Sequence, residues 1–267
     1  MIGFFDSGIG GLTIEQEVRQ LLPEYSTIYL GDSARSPYGD RSHEELVDFT
    51  WAGAQWLFGH GAELVIVACN SASASALAEI QKEKLGPDPE KRILGVIRPT
   101  VEELVKKGFD DVAVISTVAT KESGAYVHEF KKLNPDTVVS AISCPTWTPM
   151  IEAGKTGTKE MKDQVSEDMS VLKKEDPNVK AALLACTHYP YVKEDVEQAL
   201  GPDVQVFDQG KIVAKSLKDY LERHPEIESK LSRTQKHSYY TTGDEVLSTK
   251  VAHDAFGYDV GFKTTTI

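Results

Sequence analysis

Three cysteines occur in the 267-residue chain, and two of them share a setting suited to proton chemistry. Cys69 and Cys186 each follow a run of small and branched apolar residues, in ELVIVACNSASA (63–74) and AALLACTHYPYV (181–192), and each precedes Asn or Thr. In an α/β chain this is where a strand ends and a helix begins, the place where such folds bind ligands. Asn70 and Ser71 suit the first turn of a helix, and Thr187 can cap one. Pro190 suits a helix start, where its missing N–H is not needed. A thiol there feels the positive end of the helix dipole, so a lowered pKa and a larger thiolate fraction are expected. A free cysteine is more often a small buried hydrophobe. Two in equivalent contexts, each ahead of polar capping residues, favour function. Cys144, in SCPTWTP with proline directly after it, lacks that setting and reads as structural.

Other residues can hold a ligand or carry protons. In DSGIGG (6–11), Asp6 and Ser7 end a strand, and the glycines let the backbone turn tightly and approach a ligand. The third glycine of a dinucleotide fingerprint is missing, and there is no GKS or GKT for a P-loop. A carboxylate-binding loop, with its amides at a helix start, fits better. GDSARSPYGDR (31–41) is a polar loop after the second strand: a surface turn, or a functional loop at a strand's carboxyl end. His188, two residues after Cys186, and Glu152 in TPMIEAG are candidate proton carriers. Cys-x-His without a partnering C-x-x-C or H-x-x-x-H is poor support for zinc, so no metal is expected. No lysine sits where a pyridoxal phosphate Schiff base would form, so no cofactor is expected either.

These residues need elements to position them. Short apolar runs at 2–5, 27–30, 63–68, 93–97, 111–116, 137–142, 181–185 and 204–207 read as strands buried on both faces. Amphipathic segments at 12–22, 44–60, 72–85, 100–107, 122–133, 158–174 and 191–200 read as helices. Strict alternation implies right-handed β-α-β units, a mainly parallel sheet and an α/β fold. The stretch 81–92 is charged, carries two prolines and reads as an exposed connection; 220–237 reads as a solvated helix or loop. The two cysteine segments echo each other, as do IGFFDSG (2–8) and VAVISTVAT (112–120). Two related α/β units facing each other would put the cysteines across a shared cleft.

Composition narrows the classes of function. With 29 Lys+Arg against 41 Asp+Glu the formal charge is −12, which argues against a nucleic-acid surface. At 40% hydrophobic and 26% charged residues, the chain has an ordinary globular balance. Its length suits one large or two modest domains at about 150 residues each. No run of ~18 apolar residues crosses a membrane. The opening MIGFFDSGIGG has neither a basic start nor an export cleavage pattern. An odd, small cysteine count fits a reducing cytoplasm.

DSGIGGL (6–12), DSARSPYG (32–39), ACNSASA (68–74), the CP…E-x-G segment (144–154), ACTHYP (185–190) and TTGD (241–244) together resemble the glutamate racemases, within the cofactor-independent aspartate/glutamate racemase superfamily. They span nearly the whole chain in that family's order. The resemblance implies two flavodoxin-like α/β domains, pseudo-symmetric, with the active site in the cleft between them. It divides the chain into 1–97 plus 208–267, carrying Asp6 and Cys69, and 98–207, carrying Glu152, Cys186 and His188. It implies two-base racemisation, in which Cys69 takes the α-proton of D-glutamate and Cys186 that of L-glutamate. Asp6 assists Cys69, while His188 and Glu152 assist Cys186. It implies that Asp6, Ser7, Tyr38, Gly39, Asn70, Ser71, Thr187 and His188 hold the substrate, with Thr117 and Thr120 as further contributors. It also implies a cytoplasmic, bacterial homodimer supplying D-glutamate for peptidoglycan.

The sequence departs from the family pattern in places. Ser71 stands for the usual Thr, Ala185 for Gly, Thr100 (beside Arg98) for the commoner Gly, and DQG (208–210) for DSG. The rival readings are an aspartate or other amino-acid racemase, a Cys-His hydrolase built on Cys186 and His188, and a binding protein with incidental thiols.

Overall fold

The computed structural model describes residues 1–86 and 90–267, so residues 87–89 of the charged connection at 81–92 lie outside the described residues. All eight apolar runs form strands: β1 (Ile2–Asp6), β2 (Thr27–Gly31), β3 (Leu64–Val67), β4 (Arg92–Gly95), β5 (Asp111–Ser116), β6 (Val138–Ser143), β7 (Ala181–Ala185) and β8 (Gln205–Phe207). Two further strands, β9 (His237–Thr241) and β10 (Phe262–Thr264), follow near the end of the chain. The strands form two sheets, β10-β9-β2-β1-β3-β4 and β6-β5-β7-β8, and every pairing is parallel. The order β2-β1-β3-β4 recurs as β6-β5-β7-β8, so the echo between the two cysteine segments is a topological repeat. β3 in one sheet corresponds to β7 in the other. Every residue of β1, β2, β3 and β7 is buried, as in sheets covered on both faces.

The helices between the first four strands are α1 (Leu12–Leu21), α2 (His43–Gly59), α3 (Asn70–Ser75) and α4 (Leu77–Glu79). The single helix expected over 72–85 is therefore divided, and it ends in a π-helical turn at Ile80–Lys84. Next come α5 (Ile97–Lys106), α6 (Val118–Glu122), α7 (Ala125–Leu133), α8 (Trp147–Glu152), α9 (Lys159–Glu175) and α10 (Lys193–Leu200). The helix expected over 122–133 is α7, and α6 is an additional short helix before it; Gly124, at φ +64° in the left-handed region, separates the two. Last are α11 (Gly210–Arg223), α12 (Pro225–Glu228) and α13 (Glu245–Asp254). The polar stretch 220–237 is thus the end of α11, then α12 and a loop, and its last residue opens β9.

The chain leaves the six-stranded sheet through α5 after β4 and returns through α11 after β8. α11 packs along α1, and α5 packs against α7 and α11. Among the described residues, no helix is long and apolar enough to cross a membrane.

Candidate active site

β1 and β3 are neighbours in the first sheet, so their carboxyl ends bring Asp6, Ser7 and Cys69 together. Cys69 is the residue before α3, and its Sγ lies 3.7 Å from Ser7 Oγ. Asp6 is fully buried; its Oδ2 accepts from the Gly8 amide at 3.1 Å. Burial raises the Asp6 pKa, while the positive charge of His188 and the amides of Gly8 and Gly11 act in the other direction. The lowered pKa expected of Cys69 is not found. Burial pushes its thiol up to about 12, the Asp6 charge adds to that, and the hydrogen bond from the Ala72 amide cannot offset them. A six-residue helix provides too small a dipole to overcome desolvation.

The equivalent end of β7 carries Cys186, Thr187 and His188, all buried. His188 Nδ1 lies 3.9 Å from Cys186 Sγ, and its Nε2 lies 3.0 Å from Oε1 of Glu152, the last residue of α8. Burial disfavours the imidazolium, but hydrogen bonds and charge from Cys186 and Glu152 outweigh it and raise the His188 pKa to about 10. Cys186 therefore faces a cation held in place by a carboxylate.

The two sides touch. Thr187 Oγ1 donates to Asp6 Oδ1 at 3.4 Å, and Thr13 Oγ1 donates to the Thr187 carbonyl at 3.2 Å. A Cβ at Gly10 would lie 2.5 Å from both Thr187 Oγ1 and His188 Nδ1, so only glycine lets this loop close onto the second lobe. Ser71 and Thr117 hydroxyls meet at 2.9 Å, Thr117 Oγ1 donates to Thr120 Oγ1 at 3.1 Å, and Gly39 abuts Thr117. Cys69 and Cys186 are only 5% and 7% exposed, so neither thiol is open to solvent.

Two of the expected residues are held by partners of their own. The Tyr38 hydroxyl donates to Asp32 Oδ2, which also accepts from Arg35 Nε at 2.6 Å, and the Tyr38 ring packs near Phe5 and Phe49. Tyr38 therefore organises its loop, and the adjoining Gly39 reaches the second lobe. Asn70 is tied into a buried polar network with Tyr126 and Gln209. Cys144 is buried in the core of the second lobe, and its carbonyl accepts from the Tyr189 hydroxyl at 2.8 Å.

Residues 12–217 match the Asp/Glu/Hydantoin racemase family. The chain belongs to that family. It is 40% identical over 255 residues to a glutamate racemase of Ruegeria pomeroyi, covering 91% of each chain. Among solved structures it is similar to a Bacillus anthracis glutamate racemase (TM-score 0.90, 30% identity, 100% of this chain and 97% of that one). A Francisella tularensis glutamate racemase in complex with D-glutamate matches at TM-score 0.86 and 30% identity, over 99% of this chain and 97% of that one. Against this family background, the structure adds residues that sequence reasoning missed. Thr148 Oγ1 lies 3.7 Å from Cys186 Sγ, and the Phe256 ring stands edge-on to His188 with centroids 5.6 Å apart. Thr148 lies in the same TPMIEAG segment as Glu152, a signal that could have found it; Phe256 carried none. A cavity of about 560 Å³ opens elsewhere, between β4, α5, α7 and α11, and holds neither cysteine.

Proposed function

We propose that the protein is a cofactor-independent glutamate racemase that works with two thiols. One observation supports this reading: Cys69 and Cys186 are buried at equivalent strand ends of a repeated fold, next to Asp6 and Thr187, which touch each other, in a chain of this family. In the L-to-D direction Cys186, as thiolate, takes the α-proton, breaking Cα–H and forming S–H. Cys69, as thiol, gives a proton to the opposite face, forming the new Cα–H bond and becoming thiolate. The net change is inversion and one proton moved from Cys69 to Cys186. His188 with Glu152, and Asp6, stand where they can return each thiol to its starting state.

A positioned general base accounts for roughly 10²–10⁴-fold of acceleration. The remainder falls to fixed donors such as the Ser7 hydroxyl and the Asn70 amide around the carbanionic transition state, in a site from which water is excluded. The division into 1–97 plus 208–267 and 98–207 places the lobe boundary at the α5 and α11 crossings. The same reading makes the protein a cytoplasmic homodimer that supplies D-glutamate for peptidoglycan.

Circular dichroism of the purified protein with L-glutamate, with and without a chelator or pyridoxal phosphate, tests the reading. Optical activity should decay to zero at the same rate in all cases. A metal- or cofactor-dependent rate, or decay with L-aspartate alone, would overturn it.

A further inference from the structure

Four buried side chains on four different elements form one hydrogen-bonded network behind Cys69: Asn70 of α3, Thr100 of α5, Tyr126 of α7 and Gln209 at the start of α11. Its polarity is set by a backbone atom. Thr100 Oγ1 donates to the Val96 carbonyl at 2.6 Å, so it can only accept from Gln209 Nε2, 3.1 Å away. Gln209 Nε2 also donates to the Tyr126 hydroxyl at 2.8 Å, which uses both its hydrogens. Gln209 Oε1 therefore faces Asn70 and accepts from its Nδ2 at 2.6 Å. Asn70 Oδ1 in turn accepts from the Tyr126 hydroxyl at 2.6 Å. Asn70, Gln209 and Tyr126 close a ring in which no amide can flip without breaking several bonds. One Nδ2 hydrogen of Asn70 is the only donor hydrogen of these four side chains without a partner among the described residues.

Val96 and Thr100 lie where the chain leaves the six-stranded sheet, and Gln209 lies where it returns. The network thus ties both crossings to the residue that follows Cys69. Thr100 and Gln209, one at each crossing, bond each other.

We infer that Gln209, with Tyr126, is a positioning residue that fixes the Asn70 amide so that its free N–H is held for the substrate. The inference rests on the racemase reading above. Gln209 touches no reacting atom and acts through Asn70. Closed buried hydrogen-bond rings of this kind fix a single arrangement, and their loss releases it.

A double-mutant cycle tests this. Gln209→Met keeps the side-chain volume and removes the amide. It should lower kcat/KM for glutamate about 5- to 30-fold, mostly through KM, the scale of one or two lost buried hydrogen bonds. In an Asn70→Ala background the same substitution should change kcat/KM by less than about twofold, because its route to the substrate is gone. Tyr126→Phe should give the same pattern, and it decides the matter if Gln209→Met fails to fold. Equal losses in both backgrounds, or an effect within twofold in the wild-type background, would overturn the inference while leaving the racemase reading intact. A wild-type protein inert toward glutamate would overturn the reading, and the inference with it.

Discussion

At the end of β3 Cys69 sits beside a buried carboxyl group, whereas at the end of β7 Cys186 sits beside an imidazole. The strands are equivalent in the repeated topology, but the electrostatics are opposed. Burial and Asp6 keep Cys69 a thiol, pushed up to about 12, while His188, raised to about 10 against its own burial, places a positive charge next to Cys186. A repeated fold therefore places the two thiols at equivalent strand ends, and unlike partners surround them: a buried carboxyl group on one side and a raised imidazole on the other. The asymmetry has a limit set by thermodynamics. The two enantiomers have equal free energy, so kcat/KM must be the same in both directions whatever surrounds each cysteine. Differences between the sides can appear only in how kcat and KM separately divide.

Removing either thiol puts the heaviest strain on this comparison. Cys69→Ser and Cys186→Ser should each lower racemisation roughly 10²–10⁴-fold, equally from L- and from D-glutamate. A variant that keeps near-normal turnover would mean one side suffices.

The contact between the sides comes next. Gly10→Ala places a methyl group 2.5 Å from Thr187 Oγ1 and His188 Nδ1, so the lobes must close less far. A loss of about 10²-fold in kcat/KM is expected, the scale of a misplacement near 1 Å. An unchanged rate would mean that this closure is not the reactive geometry.

The flanking groups sharpen the comparison further. Glu152→Gln removes the partner of the imidazolium, lowering the His188 pKa from about 10, so activity should be lost at lower pH on the alkaline side. The loss at neutral pH should be about 10- to 100-fold, the scale of a charged hydrogen bond. Asp6→Asn removes a negative charge beside Cys69 and brings its thiol down from about 12. With Cys144 and Cys186 replaced by Ser, the rate of Cys69 alkylation by iodoacetamide should begin to rise at lower pH in Asp6→Asn than in its parent. Profiles that do not move would remove the electrostatic difference on which the comparison stands.

Cys144 is the control, with the smallest expected effect. Cys144→Ser should leave turnover within about twofold of wild type and lower the melting temperature by a few degrees, the scale of about 1 kcal/mol for a buried hydroxyl. A large loss of turnover would add a third thiol to the account.

The parts of this arrangement that are readable in sequence are those with a local cause. The central strands β1, β3, β5 and β7 are covered on both faces and read as continuous apolar runs, while the edge strands β4 and β6 are only part-buried. β9, HSYYT, and β10, FKT, lack that signature. Their stability comes from aromatic packing of Tyr239 and Phe262 on Tyr29, and β10 is a three-residue edge strand. α8 was hidden by Pro149, which the first turn of a helix tolerates. The cysteine positions follow from strand ends, but the protonation of Cys69 does not. A helix N-terminus can be read from sequence, and the burial that overrides it is set by the whole fold. Phe256 against His188 is a contact between distant segments, which no local pattern encodes, whereas Thr148 beside Cys186 shares the TPMIEAG segment with Glu152.

The most direct test of the two-thiol claim is the isotope pattern at early times in D₂O. L-Glutamate is incubated with the wild-type protein, and deuterium at the α-carbon of each enantiomer is followed by NMR after chiral separation. Two thiols on opposite faces predict D-glutamate that carries deuterium from its first appearance, while the remaining L-glutamate stays protiated. Deuterium entering L-glutamate before inversion, or D-glutamate retaining the original proton, would mean that one base serves both faces and would contradict the account.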